Sequence, residues 1–176
     1  CVQSIYQSNY PKNKIFVLLV NNMSQDNSFE IYSKCQKDFP NLSINWMNSK
    51  QGKSKALNLA LFNCQGKYII HIDSDGFLSG RNFQSELNSI FTLSGAFSAF
   101  RKSAIMKTQL YNTDTLCEDT HVTFQVRFQM KKRVALCPNA IFFVDPIESL
   151  NKLYVQRQRW QSGELEVLHM FRKDKM

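Results

Sequence analysis

No apolar run in the chain approaches the roughly 20 residues needed to cross a bilayer; the stretch from Ile15 to Val20 is among the longest and has the length of a buried strand. No charged-then-apolar leader with a small-residue cleavage site opens the sequence. It starts at Cys1, and the expectation is a piece of a longer protein. No C-x-x-C pair occurs among the five cysteines at positions 1, 35, 64, 117 and 137, so zinc-knuckle and dithiol redox motifs are excluded. Odd in number and widely spaced, these cysteines are expected to be reduced and mostly buried, which favours the cytosolic side of a membrane. No internal repeat, low-complexity tract or linker divides the chain. At 176 residues and 43% hydrophobic composition, a single domain, residues 1–176, with one sizeable core is expected.

Acids are missing from Thr120 to Val144, where Arg127, Lys131, Lys132 and Arg133 fall, within a chain of formal charge +8. A basic surface results. It is either a solvated face or a surface attracting a polyanion, anionic lipid or a phosphorylated substrate.

What is present alternates strands with helices, the pattern of an α/β fold with a mostly parallel central sheet. Ile15 to Val20 reads as a strand. Ser28 can cap a helix over about 29–39 with Phe29, Ile31, Tyr32 and Cys35 inward, stopped by Pro40. Leu42 to Met47 reads as a second strand, Gly52 opens a helix reaching about Cys64, and Tyr68 to Asp73 forms a third strand ending in acid. Further on, Asp119 to Met130 has helical spacing, while Val134–Leu136 and Ala140–Val144 read as short strands. A final helix runs from Ser149 past Trp160 with Gly163 as a possible kink. Its apolar residues Leu150, Leu153, Tyr154, Leu165, Leu168 and Phe171 are expected in the core rather than against a membrane.

Four segments carry chemistry. Asp73 and Asp75 stand two apart at the end of an extended segment, so their carboxylates point the same way. At the carboxyl end of a strand they suit Mg²⁺ or Mn²⁺ and a diphosphate, although acids also cluster in turns by chance. Gly52-Lys53-Ser54-Lys55-Ala56-Leu57-Asn58 puts a glycine and two lysines at a helix start, where free N–H groups favour an anion; an ordinary amphipathic helix would look the same. It lacks the spacing and second glycine of a nucleoside triphosphate loop. Glu118 and Asp119 precede a helical segment, so one can cap it, and Asp119 can instead serve as a general base. Gln156, Arg159 and Trp160 share one helix face, suited to phosphate recognition by Arg159 and ring stacking on Trp160, or to a structural Trp flanked by snorkelling arginines.

Taken in order, these segments, together with Val20-Asn21-Asn22, Ser24 and Asp26, resemble the processive, membrane-associated branch of family 2 glycosyltransferases, which includes cellulose and hyaluronan synthases. Thr92 to Lys102 more loosely resembles glycosyltransferases that accompany exosortase systems in Gram-positive bacteria. The resemblance implies an inverting enzyme with a nucleotide-diphospho-sugar transferase fold. In it Asp75 ligates the metal, Asp73 and Lys53 contact the donor, Asn22 reaches the uridine, and Asp119 deprotonates the acceptor hydroxyl. Gln156 and Arg159 would hold the diphosphate and Trp160 would line the acceptor path. The donor is expected to be a UDP-sugar and the acceptor a growing glycan or lipid-linked molecule at the cytoplasmic membrane face, with membrane helices outside this chain.

Three departures from the family stand out. Asn21 and Asn22 occupy the place of a usual acid, the family's leading strand is missing, and the interval from Asp75 to Glu118 is short, with an expected join near Leu78 to Arg81. A catalytically silent nucleotide-sugar-binding subunit is the alternative motivated by the asparagines. A basic nucleic-acid-binding domain would account for charge but for none of the carboxylates.

Overall fold

In a computed structural model the described residues are 1–79, 92–135 and 140–173. Helix α1 (Val2–Tyr6) leads through a 3-10 turn into strand β1 (Phe16–Asn21), helix α2 (Ser28–Asp38), strand β2 (Ser43–Asn48), helix α3 (Lys53–Asn63) and strand β3 (Tyr68–Ile72). Strands β4 (Phe77–Ser79) and β5 (Phe97–Arg101), helices α4 (Lys102–Ile105) and α5 (Glu118–Phe124), strand β6 (Ile141–Phe143) and helix α6 (Leu150–Lys173) complete it. The first half therefore has the α/β alternation expected. β1 and β2 are parallel and in register from Phe16 opposite Ser43 to Asn21 opposite Asn48. The later ladders, β3 with β5 and β4 with β6, are antiparallel.

The core lies where α3, β3, β5 and α5 meet. Leu61, Ile105, Tyr111 and Val122 are buried there, with Leu57, Ile69 and Phe100 against them. Burying each large aliphatic side chain contributes about 1.5–3 kcal/mol. One polar side chain ties this core together: Asn58 of α3 donates from Nδ2 to the Tyr111 carbonyl (2.8 Å) and accepts the Tyr111 N–H at Oδ1 (3.0 Å). That pair replaces a missing ladder for an otherwise irregular segment.

Several local expectations are corrected. Ser28 is the first residue of α2 rather than its cap, and both its N–H and hydroxyl are taken by Asp26. Phe29 and Ile31 are exposed, whereas Tyr32 and Cys35 are half-buried, because α2 covers the sheet through Tyr32 and Trp46, whose rings lie 5.4 Å apart. Val134 is buried but sits in irregular chain, not a strand, and Leu136 lies outside the described residues. The helix begun at Glu118 widens at Gln125–Gln129 into a π-helical segment. There the fully buried Gln125 accepts the Gln109 N–H (2.5 Å) and donates to the Leu110 carbonyl (3.2 Å), a local rearrangement typical of π segments.

Helix α6 continues unbroken through Gly163 for 24 residues. The glycine's hydrogen side chain lets the helix cross Cys117: a Cβ there would lie 2.3 Å from the Cys117 Sγ and 2.8 Å from its Cβ. Of the apolar α6 positions expected in the core, Leu150, Tyr154, Leu165 and Leu168 are exposed while Leu153 and Phe171 are half-buried. The buried position is Val167, one turn after Gly163, because the glycine sets which face is pressed inward. Among the cysteines only Cys117 is buried; Cys1, Cys35 and Cys64 are half-buried and free, and Cys137 lies outside the described residues. The expected join near Leu78 to Arg81 reaches into residues 80–91, also outside the described residues.

Candidate active site

Lys53 is the first residue of α3 and Asp73 follows the last residue of β3, and their side chains meet. The Lys53 ammonium lies 2.9 Å from Asp73 Oδ1, 3.0 Å from its Oδ2 and 3.0 Å from the Gly95 carbonyl, with Glu118 Oε1 at 3.7 Å. His71, two residues back on the same strand face, brings Nε2 to 3.4 Å from Asp73 Oδ1. Burial opposes the charged form of Asp73, but hydrogen bonds from His71 and Lys53 outweigh it and hold the carboxyl below its ordinary range. The Asp73 N–H donates to the Ala96 carbonyl (2.8 Å), which fixes the carboxylate beside the segment entering β5.

Asp119 stands in the first turn of α5. Its Oδ1 accepts the Thr120 N–H at 2.7 Å, while Oδ2 faces Gly95 so closely that a Cβ at that glycine would lie 2.7 Å from it. Gly95 thus presents its carbonyl to Lys53 and its bare Cα to Asp119. Asp119 is the second residue of α5 rather than its cap, which is Cys117, so the capping expectation is corrected: Oδ1 binds the following N–H within the first turn and Oδ2 is left toward Gly95. Tyr111, buried beneath, has its phenol pushed upward by burial first and then by the negative charge of Glu118 and Asp119, so it stays neutral.

Helix α6 docks on the turn that begins α5. Glu166 Oε2 accepts from the Thr115 hydroxyl (3.0 Å) and the Leu116 N–H (3.0 Å), and the Cys117 thiol donates to the Trp160 carbonyl (3.7 Å). Burial, Asp119 and Glu118 push the Cys117 thiol up to about 11, opposed by the Arg159 guanidinium. Arg159 therefore acts electrostatically on the same turn that carries the acids. Of the face seen in sequence, Gln156 is half-buried, Arg159 exposed and Trp160 38% exposed. Arg157 packs over the Trp160 ring at 4.7 Å, so the flanking-arginine contact is made by Arg157 and leaves Arg159 outward.

At the ends of β1 and β2, Asn22 Oδ1 accepts the Gly52 N–H at 2.7 Å and so joins β1 to the start of α3. Asp75 is exposed and, among the described residues, has no ion-pair partner. No group of three or more histidines, cysteines or acids able to hold a metal gathers among the described residues. An uncommitted carboxylate of this kind fits Mg²⁺ or Mn²⁺ bound through one or two carboxylates, water and ligand phosphates, and does not fit an all-protein cage. Asp73, engaged by Lys53 and His71, is the less available of the pair.

The structure thus brings Lys53, Asp73, Glu118 and Asp119 together and sets the Trp160 carbonyl of α6 against Cys117, the residue before Glu118. Glu118, His71 and Gly95 were not assigned roles from sequence. His71 shares the strand parity of Asp73 and was findable on that ground; the Gly95 carbonyl, 42 residues from Lys53, carries no sequence signal.

Residues 1–150 match the family model described as "Glycosyl transferase family 2". The chain belongs to that family. Poly-beta-1,6-N-acetyl-D-glucosamine synthase of Staphylococcus epidermidis is 24% identical over 218 residues, covering 95% of this chain and 51% of the relative. The synthase of the same name from Staphylococcus aureus (strain COL) is 24% identical over 199 residues, 86% of this chain and 48% of the relative. The chain spans about half the length of the curated relatives it matches. In fold it is similar to the mannosyltransferase PcManGT from Pyrobaculum calidifontis, solved in complex with GDP-Man and Mn²⁺, with a TM-score of 0.77 at 17% identity over 93% of this chain and 57% of that one. S. aureus TarS 1-349 in complex with UDP-GlcNAc has a TM-score of 0.64 at 16% identity, covering 84% of this chain and 54% of that one. This chain shares its α/β fold with those two proteins.

Proposed function

We propose that this domain transfers a hexosyl unit, with inversion, from a UDP-sugar to a growing glycan or lipid-linked acceptor. The observation that carries the reading is the convergence of Lys53, Asp73 and the pair Glu118 and Asp119 from three separate segments around the Gly95 carbonyl and Cα. Relatives named for N-acetylglucosamine polymer synthesis and a neighbour bound to UDP-GlcNAc make UDP-GlcNAc the first donor to test.

Asp119 takes the proton of the acceptor hydroxyl on Oδ2 while the acceptor's own oxygen forms a bond to the anomeric carbon. The bond from that carbon to the diphosphate breaks on the opposite side, and the diphosphate leaves with the electron pair. Gln156 and Arg159 hold its oxygens, Lys53 adds positive charge from the start of α3, and Trp160 lines the acceptor path. Asp73 and Asn22 contact the nucleotide. Bound at Asp75, Mg²⁺ or Mn²⁺ would supply Lewis-acid neutralisation of diphosphate charge.

The same reading places the domain at the cytoplasmic face of the cell membrane within a longer protein, anchored by segments outside this chain. No helix among the described residues is long and apolar enough to cross a membrane. The reading also includes a segment of the longer protein between Asp75 and Glu118; the alignment with the S. epidermidis synthase is longer than this chain and so opens gaps in it.

The test is a melting-temperature panel of nucleotide sugars with Mg²⁺ or Mn²⁺, followed by sugar transfer by the full-length protein. A ligand that binds only the folded state at 100 times its Kd stabilises it by about 2.7 kcal/mol. UDP-sugars that raise the melting temperature only with metal support the proposal; no response to any nucleotide sugar overturns it.

A further inference from the structure

Residues 92–96 enter β5 as irregular chain, and their hydrogen bonds run in two directions. Toward β3 and α3, the Ala96 carbonyl accepts the Asp73 N–H (2.8 Å) and the Gly95 carbonyl accepts from the Lys53 ammonium (3.0 Å). Toward α5, the Leu93 N–H donates to Thr123 Oγ1 (2.9 Å), and the Thr92 and Thr120 hydroxyls lie 2.9 Å apart. Between these fastenings the bare Cα of Gly95 faces Asp119 Oδ2. One short segment therefore meets both the donor-side groups and the base.

Thr123 is the fastening whose chemistry is most fully determined. Its hydroxyl donates to the Asp119 carbonyl (2.7 Å), which can only accept, and receives the Leu93 N–H, which can only donate. The side chain is 0% exposed, so water does not reach the oxygen to replace either bond. A single buried oxygen is thus bonded to the backbone of Asp119 and to the segment whose glycine limits where the Asp119 carboxylate can stand. Thr120, also buried, joins that segment at Thr92.

We infer that Thr123 is a positioning residue for the transfer reaction: through Leu93 and Gly95 it sets where Asp119 Oδ2 stands relative to Asp73 and Lys53. Buried inside α5, it has no access to substrate and acts through Asp119. The inference rests on the base reading of Asp119 above and adds the group that holds the base in register with the donor side. Thr123→Val keeps the branched shape but removes the hydroxyl, which releases the Leu93 N–H and lets Gly95 shift against the carboxylate. Thr123→Ser keeps the hydroxyl and both of its bonds.

The experiment is steady-state transfer from UDP-GlcNAc with Mn²⁺ by the full-length protein, beside UDP titrations, for the parent, Thr123→Val, Thr123→Ser, Asp119→Asn and the double variant carrying Thr123→Val and Asp119→Asn. Thr123→Val should lower kcat about tenfold while donor KM and UDP affinity stay within about twofold, and Thr123→Ser should keep kcat within about threefold of the parent. In the Asp119→Asn background Thr123→Val should cost less than about twofold, because two changes acting through one base are not additive. Three results overturn the inference and leave the base reading intact: parent-like kcat in Thr123→Val beside a crippled Asp119→Asn, a loss that Thr123→Ser shares, or an equal loss in both backgrounds. Asp119→Asn that transfers like the parent overturns both, as does a parent that transfers nothing. Where Thr123→Val fails to fold, Thr123→Ala removes the same hydroxyl with no bulk added and is read by the same split between kcat and KM.

Discussion

Asp119 and Gly95 touch across the candidate site: a methyl group added at Gly95 would stand 2.7 Å from Asp119 Oδ2 and 3.3 Å from its carboxyl carbon. Real Cβ atoms do not approach an oxygen that closely, so Gly95→Ala must move the carboxylate. In the proposed reaction Oδ2 receives the proton, and a displacement approaching 1 Å costs on the order of 10²-fold in rate. Gly95→Ala should therefore lower kcat by about 10- to 100-fold while UDP-sugar binding changes little, as steady-state kinetics beside a binding titration would report.

Asp119→Asn keeps the local hydrogen bond, because an amide oxygen can still accept the Thr120 N–H, and removes the base. Transfer should fall by about 10²- to 10⁴-fold with the melting temperature nearly unchanged. Transfer within a few-fold of the parent would remove Asp119 from the mechanism and leave it an acid that stabilises the first turn of α5.

Asp75→Ala should abolish the metal-dependent part of nucleotide binding, and chelation should reproduce that loss in the parent protein. Both follow from an exposed carboxylate without an ion-pair partner among the described residues. Titrations of UDP with and without Mn²⁺ measure the difference directly; equal metal dependence in parent and variant would place the ion elsewhere.

Asp73 gives a pH signature. Despite burial, His71 and Lys53 hold its carboxyl below the ordinary value, and in the unfolded chain it would titrate near about 3.9. The folded state binds that proton less readily, so the stabilisation is complete above about pH 4–5 and is lost as pH falls through the folded value. Lys53 and Asp73 are about a third or more exposed, and screening limits the effect to at most about 1 kcal/mol. Between about pH 5 and pH 3 the melting temperature of the parent should fall further than that of Asp73→Asn, by up to about 2–4 °C.

Gly163→Ala tests the docking of α6. The added methyl meets Cys117 Sγ at 2.3 Å and the Cys117 backbone nitrogen at 3.2 Å, an overpacking that costs about 1–3 kcal/mol. Cys117→Ala in the same chain removes the nearest atom and should recover part of the lost stability in thermal melts.

Local order was read closely because it depends on neighbours in sequence. The apolar run ending at Val20, the glycine before Lys53, and the strand parity of His71 and Asp73 carry their consequences within a few residues. The segment carrying Gln156, Arg159 and Trp160 was likewise identified from helical spacing alone. Exposure along α6 was not legible, since apolar residues lie on more than one side of that helix. A single small residue, Gly163, determines which side meets Cys117, and its contact partner is far away in the chain.

The sequence by itself determined the α/β alternation and marked Lys53, Asp73 and Asp119 as candidate site residues. Only the tertiary structure decided that Lys53 neutralises Asp73, that Gly95 seats Asp119, and that the amide oxygen of Asn22 is already engaged. Each of those facts is a distance between segments, set by how helices and strands close around a common core, and no spacing along the chain encodes it.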